Sequence, residues 1–126
     1  RSWTSAITLK RRNSRMTTEE FAEKFDLTVF NKGAVREIES FYIGDLLSWV
    51  MGRADENSCW LTIMNNMNVC AVAKLADVAC AVLCENVLPD DNLKEKAKQE
   101  NLCLLGSKLS LFELAKEITK AVYDES

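Results

Sequence analysis

The stretch "VACAVLC", residues 78–84, decides the fold, because all seven of its residues are apolar. A strand with apolar side chains on both faces needs cover on both faces, as the strands of parallel sheets have. The run therefore predicts a central strand with packed layers above and below it.

Strand and helix patterns alternate on either side of this run, from residue 59 to the end of the chain. Such alternation is typical of right-handed βαβ units. The sequence therefore predicts an α/β fold with a mostly parallel sheet flanked by helices. The other predicted elements of this part are strands at 59–64 and 102–105, and helices at 69–76, at about 90–100 and after a capping box at Ser110 and Glu113.

The N-terminal part contains shorter elements. Thr17 and Glu20 form a capping box, which predicts a helix that ends near Phe25. A short strand is predicted at 27–30, and Asn31-Lys32-Gly33 after it is a turn signal. Residues 35–43 alternate loosely between apolar and polar, which predicts a second strand.

The stretch "YIGDLLSWVMG", residues 42–52, predicts a short helix. Asp45 is expected to cap its N-terminus, although a functional carboxylate is the alternative. Gly52 is expected to end it in the left-handed conformation. The residues expected to face the core are Leu46, Leu47, Val50 and Met51.

The length of 126 residues suits one domain, which we assign to residues 16–126. Residues 1–15 contain five basic residues and no acidic one, and we interpret them as an appended segment or a leader. The remainder has 11 basic and 19 acidic residues, a net charge of −8. This charge argues against nucleic acid and against an anionic membrane as partners. No apolar run reaches the length of about 18 residues that a membrane-spanning helix needs.

The chain has five cysteines and no histidine. An odd number of cysteines in apolar segments fits free, buried thiols in a cytoplasmic protein better than a disulfide framework. The cysteines do not form two close Cys-x-x-Cys pairs, so no zinc site and no cofactor are expected. They are Cys59, Cys70, Cys80, Cys84 and Cys103.

Polar residues follow each predicted parallel strand. Ligands of open parallel sheets bind beyond the carboxyl ends of the strands. The set has two carboxylates and few cations, so a small polar ligand suits it better than a phosphate. The alternative is that these are turn residues. The candidate ligand-binding residues are Gly44, Asp45, Asn65, Asn66, Asn68, Glu85 and Asn86, with Gly106 and Ser107 at the last strand.

Two further features bear on function. Trp49 lies beside the apolar side of its helix, so it is either a core residue or the anchor of an interface between copies of this chain. Without histidine or a recognisable nucleophile motif, a binding module is favoured over an enzyme. The alternative is an enzyme of unrecognised type that uses Asp45 and Glu85 at neighbouring strand ends.

From "YIGDLLSWVMG" through "LTIMNNMNVCAVAKLADVACAVLCENVLPDDNLKEKAKQENLCLLGSKLSLFELAKEI", the chain resembles the DRTGG domain family, over roughly residues 17–120. It is similar to the N-terminal domain of HPr kinase/phosphorylase and to an accessory domain of some bacterial phosphotransacetylases. The resemblance implies an α/β domain with a regulatory or ligand-binding role, a tendency to form homodimers or larger homo-oligomers, and a larger metabolic or redox enzyme as partner.

The residues that give the family its name are mostly absent. Where family members have Gly-Asp-Arg after the strand at 60–64, this chain has Asn65, Asn66 and Met67. Where they have Thr-Gly-Gly after the strand at 78–84, it has Cys84, Glu85 and Asn86. An arginine is lost and an acid is gained, which argues against an inherited anion site. The phosphate-binding loop of the kinase domain is absent from the sequence.

Overall fold

The computed structural model describes residues 9–11 and 16–125, with side chains for 16–122. Strands and helices alternate through most of this range, as the sequence predicts. The strands are β1 Leu9–Arg11, β2 Met16–Thr17, β3 Thr28–Asn31, β4 Glu37–Ile38, β5 Ser40–Ile43, β6 Ser58–Thr62, β7 Cys80–Leu83, β8 Leu104–Gly106 and β9 Tyr123–Glu125. The helices are α1 Thr18–Lys24, α2 Leu47–Arg53, α3 Asn68–Ala76, α4 Asp91–Glu100 and α5 Leu111–Val122.

A five-stranded sheet in the order β3-β8-β7-β6-β5 is the centre of the molecule. Strands β5 to β8 are parallel neighbours in chain order, and β3 pairs antiparallel with β8 as the edge strand. The prediction of an α/β fold with a mostly parallel sheet is confirmed. Because each crossover moves the chain by one strand in the same direction, α2, α3 and α4 lie on one face of the sheet.

The apolar run at residues 78–84 lies in the interior of the molecule. Every residue from Val78 to Cys84 is buried, and β7 lies between β6 and β8. Its side chains alternate between two apolar clusters, with Cys80 and Val82 in one and Ala81 and Leu83 in the other. The strand is thus covered on both faces, as its composition requires.

Each face of the sheet carries its own helical layer. One cluster joins the sheet to α1 and α5 through residues such as Phe21 and Leu114. The other joins it to α2, α3 and α4 through residues such as Val50, Val69 and Leu93. The result is a three-layer sandwich with two helices on one face and three on the other.

Two small ribbons accompany the main sheet. Strand β2 pairs with β4, and β1 pairs with β9. The interpretation of residues 1–15 as an appended segment or leader stays a prediction, since residues 1–8 and 12–15 lie outside the described range. No helix in the described residues is long and apolar enough to cross a membrane.

The local signals at both ends of the chain are confirmed. Thr17 and Glu20 exchange the two hydrogen bonds of a capping box, and Ser110 and Glu113 do the same at α5. At the predicted turn, Gly33 has φ +58°, and a Cβ there would lie 2.5 Å from the backbone N of Cys103. That position therefore requires glycine.

The expected details of α2 are partly wrong. Asp45 does not cap the helix, because the N-cap position is Leu46 and no side chain caps it. Gly52 does not end the helix either, since α2 continues to Arg53. Val50 is buried and Leu47 is half-buried, whereas Leu46 and Met51 are 59% and 45% exposed. The helix begins later than expected, so its buried face is narrower.

Arg36 joins four segments at the amino ends of the parallel strands. Its Nη1 donates to the carbonyl of Val78 at 2.9 Å, and its Nη2 donates to the carbonyl of Asp77 at 3.1 Å. Its Nε and Nη2 both donate to Oδ1 of Asn57, and Nη1 lies 3.1 Å from the Asp77 carboxylate. The Arg36 backbone exchanges hydrogen bonds with Thr18 at the start of α1. One guanidinium group thus fixes the entries to β6 and β7, and its backbone fixes the entry to α1.

We expect Arg36→Ala to lower the free energy of unfolding by about 2–4 kcal/mol, because it leaves several polar groups without partners. Arg36→Lys should recover little of this lost stability, since one ammonium group cannot reproduce the planar set of donors of a guanidinium group. Urea denaturation measures both effects as a lower midpoint at unchanged slope. The matched control is Arg53→Ala, whose guanidinium covers the Trp49 ring at 3.8 Å and should cost no more than about 1 kcal/mol. Equal losses for Arg36→Ala and the control would contradict the role of Arg36.

Candidate functional site

The carboxyl ends of β5 and β6 are tied together by Asp45. Its Oδ1 accepts a hydrogen bond from Thr62 Oγ1 at 2.6 Å and one from the backbone N of Ile63 at 2.9 Å. The peptide groups of Gly44 are also in use: its N donates to Leu61 at 3.2 Å, and its carbonyl accepts from Trp60 Nε1 at 2.8 Å. The Asp45 carboxylate therefore joins the carboxyl ends of β5 and β6, a role we call the strand-junction role.

The asparagines after β6 hold the neighbouring loops. Asn65 donates through its side chain to the carbonyl of Leu88 and accepts at its own carbonyl from the backbone N of Asp90. Asn66 Oδ1 accepts from the backbone N of Asn68 at 2.9 Å, which fixes the entry to α3. Asn68 itself is exposed at the first position of that helix.

Glu85 and Asn86 form the turn after β7, and both have left-handed backbone angles, φ 62° and 60°. Their backbone N–H groups donate to the carbonyls of Leu109 and Ser107, so the turn is joined to the segment after β8. Both side chains are exposed. These contacts are what turn residues make.

Cys84 is a buried residue at the end of the apolar run, directly before Glu85. Burial, followed by the nearby charges of Glu85 and Asp45, raises the pKa of Cys84 to about 12. Because the Cys84 thiol stays protonated at neutral pH, it is a poor nucleophile.

A groove of about 400 Å³ opens elsewhere, alongside α1 and the edge strand β3. Thr18, Ala22 and Glu23 contribute from α1, and Val29 contributes from β3. The remaining lining residues are Glu19, Asp26, Leu27, Lys32, Val35, Cys103 and Leu105. The volume lies in the range of about 300–1,000 Å³ that is usual for small-ligand sites.

Three cysteines lie side by side on the face of the sheet that α1 and α5 cover, one near the start of each of three neighbouring strands. Cys59 is in register with Cys80, and Cys80 lies beside Cys103. Cys103 reaches the floor of the groove. The hydrogen bond with Cys80, followed by burial, raises the pKa of the Cys103 thiol far above its usual range. All five cysteines are free, as predicted, and this one is uncharged at neutral pH.

A smaller cavity of about 80 Å³ lies beside the Arg36 cluster and shares Cys103 with the groove. Neither cavity is lined by any of the nine residues predicted at the strand ends. Their assignment to a ligand site stays a prediction, and their contacts serve loop connections. In the described part of the chain, no group of three or more cysteine or acidic side chains is arranged to hold a metal ion.

The sequence did contain a signal for the groove. Glu19, Glu23 and Asp26 recur at intervals of four and three residues, which places them along one side of α1 and its exit. Glu19 lies in the first turn, where the helix dipole favours an acid, whereas Glu23 and Asp26 lie at or just beyond the other end of α1 and do not have this explanation.

Comparison with solved structures finds this fold in the crystal structure of the CBS and DRTGG domains from the regulatory region of a Clostridium perfringens pyrophosphatase, complexed with its activator diadenosine tetraphosphate. The TM-score is 0.68 with 11% sequence identity. The match covers 84% of this chain and 47% of the other, so this chain spans about half the length of that structure. The chain has a DRTGG-like fold. No family model and no curated protein matches it.

In this DRTGG-like domain, the loops just described are those where the sequence resemblance expects the two naming motifs. Asn65 and Asn66 stand in the first loop, and Glu85 and Asn86 stand in the second. Both loops lie at the carboxyl ends of parallel strands, where the sequence resemblance expects them. The side chains of Asn65 and Asn66 make loop contacts, and those of Glu85 and Asn86 are exposed.

We expect the Asp45 carboxylate and the Thr62 hydroxyl to be energetically coupled. In a double-mutant cycle with Asp45→Ala and Thr62→Val, the coupling measured by urea denaturation should be about 1 kcal/mol. A helix-capping aspartate has no such dependence on residue 62. Ser48→Ala in place of Thr62→Val is the matched control, because Ser48 is exposed on α2. Additive losses at Asp45 and Thr62 would contradict the strand-junction role.

Proposed function

We propose that this DRTGG-like domain is a regulatory module that binds a small ligand in the groove beside α1 and has no catalytic activity of its own. The observation that carries the proposal is the groove itself, an apolar-floored cavity of about 400 Å³ bordered by charged side chains. Apolar cavities of this size with a few polar groups are the usual form of a small-ligand site.

The chemistry of the strand ends supports a binding role over the enzyme alternative. Asp45 already accepts two hydrogen bonds, and Glu85 is exposed on a turn. An acid–base pair in an enzyme normally meets in a cleft where the environment separates the two pKa values. The described cavities do not contain these two carboxylates.

A regulatory module acts by passing a binding event to another protein. We propose a larger cytoplasmic enzyme as that partner. The fold neighbour, which comes from the regulatory region of a pyrophosphatase, supports this role by analogy of fold alone. The free thiols of the chain suit a reducing compartment.

We expect a thermal-shift screen of amino acids, amines, sugars, nucleotides and organic acids to contain compounds that raise the melting temperature of this chain. Val29→Trp should abolish the rise, because Val29 is 51% exposed and its side chain borders the groove. The matched control is Thr28→Trp, since adjacent strand residues point to opposite faces. If the melting temperatures of Val29→Trp and Thr28→Trp rise as much as that of the unmodified chain, the groove is not the ligand site.

We also propose that the domain forms a homodimer or larger homo-oligomer through the surface around Trp49. Trp49 is 53% exposed, and Leu46 and Met51 on the same helix are exposed too. Arg53 covers one face of the ring in the single chain. Tryptophan, methionine and arginine are enriched at interfaces.

Trp49→Ala should lower the mass measured by light scattering, because burial of the ring against a second copy contributes roughly 2–3 kcal/mol. The control is Phe112→Ala, an exposed aromatic residue on α5 in the opposite helical layer. If Trp49→Ala keeps the oligomer mass but loses the response to ligands, the tryptophan belongs to a ligand site.

A further inference from the structure

The charged residues that line the groove are mostly acidic. Three carboxylates and one ammonium group line it, a net charge of −2. The ammonium group, Lys32 Nζ, lies 3.2 Å from Glu19 Oε2, so these two charges offset each other. Glu23 and Asp26 have no ion-pair partner among the described residues, and both are exposed. Among the residues whose side chains the structure describes, two carboxylates without a cationic partner therefore line the groove.

The floor of the groove is apolar and uncharged. Ala22 and Leu105 are buried and supply its aliphatic surface together with half-buried Leu27, while Val29 and Val35 are exposed aliphatic residues of the lining. Cys103 adds a thiol that stays protonated, as described above. The interior can therefore hold a hydrocarbon or aromatic body, and its charge selectivity comes from the border.

We infer that the groove selects a small organic cation, with an apolar body for the floor and an ammonium or guanidinium group for Glu23 and Asp26. This inference rests on the proposed function and gives its ligand a chemical class. Phosphate groups are disfavoured there, because they would approach a border of the same sign. The domain thus differs in ligand class from its fold neighbour, whose activator is a polyphosphate nucleotide.

The ligand class is testable with three probes that share one eight-carbon chain. They are 1,8-diaminooctane, 1,8-octanediol and octanedioate, measured by isothermal titration calorimetry at low and at physiological salt. The diamine should bind, the diol should bind about three- to tenfold more weakly, and the dianion should not bind. Raising the salt concentration should weaken the binding of the diamine and leave the binding of the diol unchanged, since salt screens exposed charges.

Two variants assign the charge effect to the border. Glu23→Gln combined with Asp26→Asn should reduce diamine affinity about three- to tenfold and leave the diol unchanged. Asn tolerates the left-handed backbone at position 26, where φ is 53°, so folding should be preserved. The control is Asp91→Asn combined with Glu95→Gln, two exposed acids of α4 in the other layer.

Each contrary outcome has a separate meaning. The groove is a ligand site without cation selectivity if Val29→Trp abolishes the binding of the diol and the diol binds as tightly as the diamine. The same conclusion holds if octanedioate or ATP binds and Val29→Trp abolishes that binding. The inference then fails while the proposed function stands. If none of the three probes binds, the inference fails as well. The proposed function is tested separately, in the metabolite screen. It fails if Val29→Trp and Thr28→Trp show the same rises in melting temperature.

Discussion

The strand β7 cannot meet water on either face, and this constraint governs the rest of the molecule. Cover on one face comes from the three crossover helices α2, α3 and α4, and cover on the other comes from α1 and α5. Five strands about 4.8 Å apart make a sheet about 24 Å wide, whereas packed helices lie about 10 Å apart. Two helices therefore leave about one strand of this face uncovered. The groove lies at that margin, where Val29 of β3 faces the side of α1.

The elements that could be predicted from sequence are those whose signal is periodic or local. The apolar run at 78–84 and the alternation of strands and helices specify the parallel sheet. The two capping boxes lie within four residues of chain, so they form wherever their helix forms. Asp45 shows the limit of local reasoning. It stands before a helix and has a side chain that could cap it, but its carboxylate accepts a hydrogen bond from the hydroxyl of Thr62, 17 positions away, instead.

The groove could not be predicted in the same way, because its lining comes from separate parts of the chain. Thr18 and Ala22 belong to the first helix, Val29 and Val35 flank a turn, and Cys103 and Leu105 lie some 70 positions later. Each of these residues has an ordinary local role in its own segment. Their convergence depends on the pairing of β3 with β8, and the sequence contains no local sign of that antiparallel pair.

That pairing has a consequence for the order of assembly. The parallel pairs join strands 18, 21 and 23 positions apart, as Ser40 with Ser58, Cys59 with Cys80, and Ala81 with Leu104 show. The pair of Thr28 with Gly106 spans 78 positions, and closing so long a loop costs roughly 1 kcal/mol more in chain entropy. The βαβ half can therefore nucleate first, with β3 docking late in folding and detaching early in partial unfolding. A molecule in the groove touches α1 and β3 on one side and Leu105 of β8 on the other, so its binding energy adds directly to the contact between the N-terminal elements and the βαβ half.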